Sequence, residues 1–343
     1  MLSIHDASER IQAVIGRLPG EPVPLEDADG RILATPIVAA RALPGFANSA
    51  MDGFAVRAAD LPGTLPAARR GDHVRALGED VAIGDAAVAA GVALRAGELT
   101  VAAALGHATV TVARRPRVAI LSTGDELVTV DAALAPGQLV DSSSYGLAAA
   151  VRAAGGEPRR LGIVADDRAA TIAAIAAALT ADVVITTGGV SAGDHDHVRD
   201  ALAAAGVTLD FWKVAMKPGK PFAFGRTATA AVFALPGNPV SSFTAFELFV
   251  RPALLAMQGA ARTTRPRAPV VLPDGFRKAA GRAHVLRVAI ARDGARLIAT
   301  PHAKQGSAMQ SSLVGCDALV EIAADVTEVA PGATAPAWLL GAC

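Results

Sequence analysis

The segment TTGGVSAGDHD (186–196) places two carboxylates, Asp194 and Asp196, directly behind three glycines and a serine. Gly188, Gly189 and Gly193 let a backbone approach a ligand closely. The amide groups entering the following helix favour an anion there. Phosphate suits such a loop, although the segment is neither a GxxxxGK[ST] P-loop nor a GxGxxG dinucleotide turn. Carboxylates repel a bare phosphate, so Asp194 and Asp196 make chemical sense when a hard cation such as Mg²⁺ bridges carboxylate and phosphate oxygens. Two other uses stay open. Either aspartate can cap the next helix. His195 and His197 interleave with the aspartates in a way that suggests zinc, although four ligands this close on one short loop do not easily surround a tetrahedral ion.

Other reactive types recur at intervals. Ser122-Thr123-Gly124-Asp125-Glu126, Asp166-Asp167 and Pro236-Gly237-Asn238-Pro239 are polar or turn-rich, and each alone has a turn or capping explanation. Lys213, Lys217 and Lys220 fall within eight residues beside Pro218 and Pro221; they read either as solvated surface lysines or as a positive arm for phosphate or oxyanion charge. Asp52 precedes Gly53, and turn chemistry alone does not single it out.

The elements that would position these residues follow from pattern. Between Pro116 and Met257, short β-rich runs (117–121, 160–164, 182–185, 209–214, 222–224 and 231–235) alternate with helical stretches at 143–154, 167–179, 197–205 and 240–257. This is the pattern of a three-layer α/β domain around a mostly parallel sheet. Each polar stretch then follows a strand, at the carboxyl edge where open sheets bind ligands. After Pro266 strands appear without helices, and Asp293-Gly294 suits a tight hairpin with both residues at positive φ. Before Arg115 the chain mixes a capped helix (4–17, with Ser3 or Asp6 as cap) with strand-like pieces in an irregular α+β region. The expected divisions are 1–114, 115–260 and 266–343.

Bulk composition bounds the function. At 343 residues the chain exceeds a typical single domain. Its 32 basic and 32 acidic residues give zero net charge, which argues against nucleic acid as partner. The N-terminus carries charges where a signal peptide needs its apolar core, and apolar runs are too short for a membrane span; a cytoplasmic protein is expected. Cys316 and Cys343 form no CxxC pair, so redox and zinc-finger readings are empty.

Seven stretches in order, NSAMDGFAV (48–56), RPRVAILSTGDEL (115–127), LGIVADD (161–167), DVVITTGGVSAGDHD (182–196), FWKVAMKPGKPFAFG (211–225), LPGNPVSS (235–242) and QGSAMQSS (305–312), resemble the molybdopterin molybdenumtransferase family, the MoeA and gephyrin E-domain group. The resemblance covers nearly the whole chain. It implies a MogA-like molybdopterin-binding α/β domain, a small C-terminal all-β domain, and insertion of molybdate into adenylylated molybdopterin with release of AMP. It implies Mg²⁺, a homodimer, a small pterin substrate and contact with other molybdenum-cofactor biosynthesis proteins. By position it suggests Thr123, Gly188, Gly189, Ser191, Gly193, Lys213, Lys217, Lys220, Pro236, Gly237, Asn238, Pro239 and Ser241 for substrate. It suggests Asp194 and Asp196 for metal, and Asp52, Asp125, Glu126, Asp166 and Asp196 for catalysis, with Asp52 supplied across a dimer interface.

One departure stands out. After NSAMDGFAV the family continues into a small β-module of several dozen residues, with a TGAPLP-like stretch and an acidic run. Here residues 57–80 pass on without either signal, so most of that module is missing. A non-catalytic molybdopterin carrier and a molybdopterin adenylyltransferase are the alternative readings.

Overall fold

The structure is a computed structural model describing residues 1–54, 56–57, 71–190 and 198–341. The chain divides into two compact units. One holds 1–17, 115–257 and 262–343; the other holds 18–114 and 258–261.

In the first unit, helix α1 (Ile4–Val14) starts at a reciprocal capping box. Ser3 Oγ accepts from the Asp6 amide while the Asp6 carboxylate accepts from the Ser3 amide, so both candidate caps act together. The helix stops at Val14 rather than at 17, because Ile15 turns to extended backbone.

The α/β part follows as β1 (Arg117–Thr123), α2 (Ser143–Ala153), β2 (Glu157–Val164), α3 (Arg168–Ala178), β3 (Val183–Thr187), α4 (Val198–Ala204), β4 (Thr208–Trp212), β5 (Ala223–Arg226) and β6 (Ala231–Leu235). Strand order is β2-β1-β3-β6-β5-β4, parallel throughout except for the antiparallel β5. The expected parallel sheet is present. β1, β3 and β6 are buried along almost their whole length, so their β-branched and alanine-rich runs do not alternate. Ile175 of α3 and Val198, Ala201 and Leu202 of α4 pack with Val184, Leu121 and Val232 on one face. The other face carries α2 and the helix 239–257, in which a π-turn (Phe246–Val250) interrupts α-helical ends. That helix is long and apolar enough to cross a membrane, and 78% of its apolar window is buried, as in a core helix.

The C-terminal part of this unit is all β. Strands β7 (Arg267–Val271), β8 (Ala283–Asp293), β9 (Arg296–Pro301), β10 (Ala318–Ile322) and β11 (Thr334–Leu339) run β8-β9-β7-β11-β10, and β10 pairs back to β8. The closed ring leaves no long unpaired edge. Leu286, Val288, Val320 and Ala337 are fully buried inside it. The β8–β9 hairpin turns on Gly294, at φ +58°, and Ala295. Asp293 instead remains in the ladder opposite Arg296, so only one of the two expected positive-φ residues exists.

The second unit is built on Gly20–Pro24 paired antiparallel with Thr109–Ala113, and on the helix Ala96–Ala104. Leu33, Leu94, Ala102 and Val112 form its core. Buried Arg31 donates from Nη2 to Glu21 and to the carbonyl of Ala113. Beyond these, its pairings are two or three residues long, as at Asn48–Ser49 with Val74–Arg75.

Candidate active site

The chain leaves β1 for β2 on one side, while β3 lies on the other. Helices therefore depart to opposite faces, and the carboxyl ends of β1 and β3 flank a crevice. A cavity of about 620 Å³ opens there, lined by Thr123, Gly124 and Glu126 after β1, Asp166 after β2, Thr187 to Val190 after β3, and Pro236 to Pro239 after β6. Four loops, each 21 to 46 residues from the next in sequence, converge because all four strands end at one edge.

The floor is glycine by necessity. Gly188 has φ +91°, and a Cβ there would stand 2.4 Å from the Thr123 carbonyl oxygen; at Gly189, with φ +61°, it would stand 2.2 Å from Val198. Side chains at either position are excluded by both conformation and space. Gly237 closes from the opposite side, its virtual Cβ 3.5 Å from Gly188 Cα. The result is a cradle walled by main chain, with Gly188 N donating to the Leu235 carbonyl at 3.2 Å. Thr123 is buried and donates to the Thr187 carbonyl at 3.4 Å, and Thr187 donates to Ser122 Oγ at 3.1 Å, tying β1 to β3 under the cradle.

The acidic side is built by a loop-to-loop contact. Asp125 does not line the cavity. Its Oδ1 accepts from the Asp166 amide at 2.9 Å and fixes the β2 loop, so that Asp166 joins Glu126 on the wall. Asp167 is spent elsewhere, capping α3 by accepting from Ala170 N at 2.7 Å. The Pro236–Pro239 turn is held by Ser242, whose hydroxyl donates to the Pro236 carbonyl at 2.7 Å. Pro239 starts the long helix at a position where a missing amide hydrogen costs nothing. Ser241 is buried behind that turn, its amide on the Asn238 carbonyl, and does not line the cavity.

The lysine loop meets the cavity through Pro221. Lys213, Lys217 and Lys220 are not among the lining residues. Lys213 holds φ +80°, and Lys217 extends β8 by pairing in parallel register with His284. Asp52 belongs to the other compact unit, exposed in a turn after Ser49. Ser191, Gly193, Asp194, His195, Asp196 and His197 lie outside the described residues, as does Cys343.

Four lining residues escape pattern reading: Asp141, Ser142, Ser143 and Gln310. Asp141 is buried and accepts from Ser144 N at 3.2 Å in the first turn of α2. Ser142 donates to Gln310 Oε1 at 3.2 Å. The Asp-Ser-Ser-Ser run ahead of an alanine-rich helix is the available signal for the first three. Gln310, 168 residues away from Ser142, lies in the family-like stretch QGSAMQSS, but nothing local in the sequence places it beside Ser142.

Comparison with known proteins agrees with this architecture. The description "Probable molybdopterin binding domain" matches residues 119–256, "MoeA N-terminal region (domain I and II)" matches 2–68, and "MoeA C-terminal region (domain IV)" matches 269–340. Molybdopterin molybdenumtransferase 2 of Mycobacterium tuberculosis is 34% identical over 382 positions, covering 92% of this chain and 94% of that one. Those 382 positions exceed the 343 residues present, so the relative carries segments this chain lacks. Molybdopterin molybdenumtransferase of Nostoc sp. is 34% identical over 334 positions, covering 78% and 77%. The crystal structure of a molybdopterin biosynthesis MoeA protein from Pyrococcus horikoshii superposes with a TM-score of 0.86 at 26% identity, covering all of both chains. A glycine cradle at the switch point of a parallel sheet, joined to a closed C-terminal β-ring, thus comes with relatives of the same name along nearly its whole length, and the chain belongs to the molybdopterin molybdenumtransferase family of molybdenum cofactor biosynthesis.

Proposed function

We propose that this chain inserts molybdate into adenylylated molybdopterin and releases AMP, acting as a Mg²⁺-dependent cytoplasmic homodimer. The observation that carries the reading is the main-chain cradle of Gly188, Gly189 and Gly237, facing Glu126 and Asp166 across the cavity. A pyrophosphate-linked nucleotide needs amide donors and close backbone approach on one side, and carboxylates for a cation on the other.

In this reading the glycine loop binds the pyrophosphate, and Asp125 acts through the Asp166 amide to keep the acidic wall in place. Water adds to phosphorus as the anhydride bond breaks and AMP leaves. The two pterin sulfurs displace two oxo groups of molybdate, which depart as water after taking up protons; Glu126 and Asp166, which line the cavity, are the groups proposed to deliver them. Among the described residues no three His, Cys, Asp or Glu side chains converge on one point. Glu126 and Asp166 instead fit an ion held by one or two carboxylates and substrate phosphate, which is how Mg²⁺ is usually bound. Asp194 and Asp196 would complete that set, and the ion would neutralise charge on the pyrophosphate. Lys217 and Lys220 are proposed for oxyanion charge, and Asp52 for a site on a second subunit.

AMP release from adenylylated molybdopterin with Mg²⁺, with and without molybdate, tests the reading. Molybdate-dependent release is the expected outcome. Retention of intact nucleotide under both conditions would make the chain a carrier, a reading supported by the family β-module that residues 57–80 largely lack.

A further inference from the structure

The segment 302–312 follows β9 and runs between Arg287 of β8 and the cavity, yet it has little regular structure of its own apart from a single 3₁₀ turn at Gln310–Leu313. Beyond the His302 amide, which donates to the Arg287 carbonyl at 3.0 Å, side chains do what a ladder would otherwise do. Gln305 pairs with the main chain of Arg287 as a strand partner would: its Oε1 accepts from Arg287 N at 3.1 Å and its Nε2 donates to Arg287 O at 2.8 Å. The same Nε2 donates to the His302 carbonyl at 2.8 Å, so three of the four bonds an amide side chain can make are used.

Arg287 answers in the opposite direction. Its side chain is fully buried, and it donates to Ser312 Oγ at 2.7 Å, the Lys304 carbonyl at 3.3 Å and the Gly306 carbonyl at 3.4 Å. A buried guanidinium is costly without acceptors, and here most of them come from the segment itself; its Nη1 remains without one. Gln305 and Arg287 therefore hold both ends of 304–312. Between those ends, Asn238 Nδ2 donates to Ser307 Oγ at 3.3 Å, Ala308 and Gln310 line the cavity, and Gln310 accepts from Ser142.

We propose that Gln305 is a positioning residue: clamped reciprocally with Arg287, it sets the Ser307–Gln310 wall against the substrate cavity without itself touching substrate. The inference rests on reading that cavity as the site for adenylylated molybdopterin.

Two measurements on the full chain test it. Trypsin cleavage after exposed Lys304 reports on the clamp directly. Gln305→Ala, and Gln305→Glu, which keeps the shape but loses both donated bonds, should each speed that cleavage at least tenfold. The second measurement is a double-mutant cycle on binding of adenylylated molybdopterin. Gln305→Ala should weaken binding about tenfold, and Gln310→Ala should weaken the parent protein but add almost nothing in the Gln305→Ala background, because the wall is already displaced. Additive losses, or weakened binding with unchanged cleavage, would overturn the proposal. Should Gln305→Ala fail to fold, Ser312→Ala removes an acceptor at the far end of the clamp and should act in the same direction, less strongly. If the parent protein does not bind the adenylylated pterin, the assignment of the cavity fails, while the cleavage assay still decides the clamp.

Discussion

At the scale of single residues, Gly188 and Gly237 face each other across the cradle under different constraints. Gly188 cannot accept a side chain, since φ is +91° and the Thr123 carbonyl is in the way. Gly237 is exposed and would meet only Gly188, at ordinary contact distance. Gly237→Ala is therefore expected to keep stability within about 0.5 kcal/mol, as surface substitutions do, while its methyl group narrows the cradle and weakens nucleotide binding about tenfold. Gly188→Ala should lose both stability and binding. Thermal melts paired with titration of adenylylated pterin check the contrast, and equal stability losses in the two variants would refute it. The glycines were legible in the sequence because only glycine satisfies such a loop. Asp125 was legible as a carboxylate but not in its task, since its partner is a backbone amide 41 positions away.

At the scale of elements, the closed β-ring carries an unusual burden. His284 on β8 is buried, edge-on to Phe276 at 5.0 Å, with Nε2 unpartnered. Burial, and then the charges of Lys217, Arg287, Lys278 and Arg282, push its pKa from 6.5 down to about 4. The native ring thus keeps this imidazole neutral where the unfolded chain would protonate it. Stability is unaffected above pH 6.5 and falls as pH drops from 6.5 toward 4, by roughly 2 kcal/mol at pH 5. Denaturant melts of the parent and His284→Leu at pH 7.5 and pH 5 should show the parent losing more than the variant by about that amount; parallel losses would rule the assignment out. Strand runs in this region were readable from their pattern. Their closure into a ring was not, because β8 and β10 pair residues 30 to 38 positions apart, a register that no local signal specifies.

At the scale of the whole molecule, Phe46, Met51, Phe54 and Val56 are exposed around Asp52, with Phe54 98% accessible. Exposed apolar side chains near one another in sequence suit an interaction surface, and in the homodimer proposed above such a surface would bring Asp52 to a second subunit. Asp52→Asn and Glu126→Gln chains should each be inactive alone. Co-assembled at equal amounts they should recover about a quarter of the parent turnover, since half the dimers would be mixed and each mixed dimer would hold one intact site. No recovery would place Asp52 at the site of its own chain, or outside catalysis.

The sequence by itself determined the family, the parallel sheet, the glycine-rich loops and the carboxylates that follow the strands. These are properties of local pattern: β-branched runs make strands, glycines make tight turns, and loops after parallel strands share one edge. Only the tertiary structure decided which groups share the cavity. Asp166 faces it while Asp167 caps a helix, although both follow the same strand. Pro221 reaches it while the neighbouring lysines do not line it. Gln310 joins Ser142 from the far β-ring because Arg287 and Gln305 hold its segment there. Such choices depend on side-chain direction and on contacts between residues far apart in sequence, and no spacing along the chain encodes them.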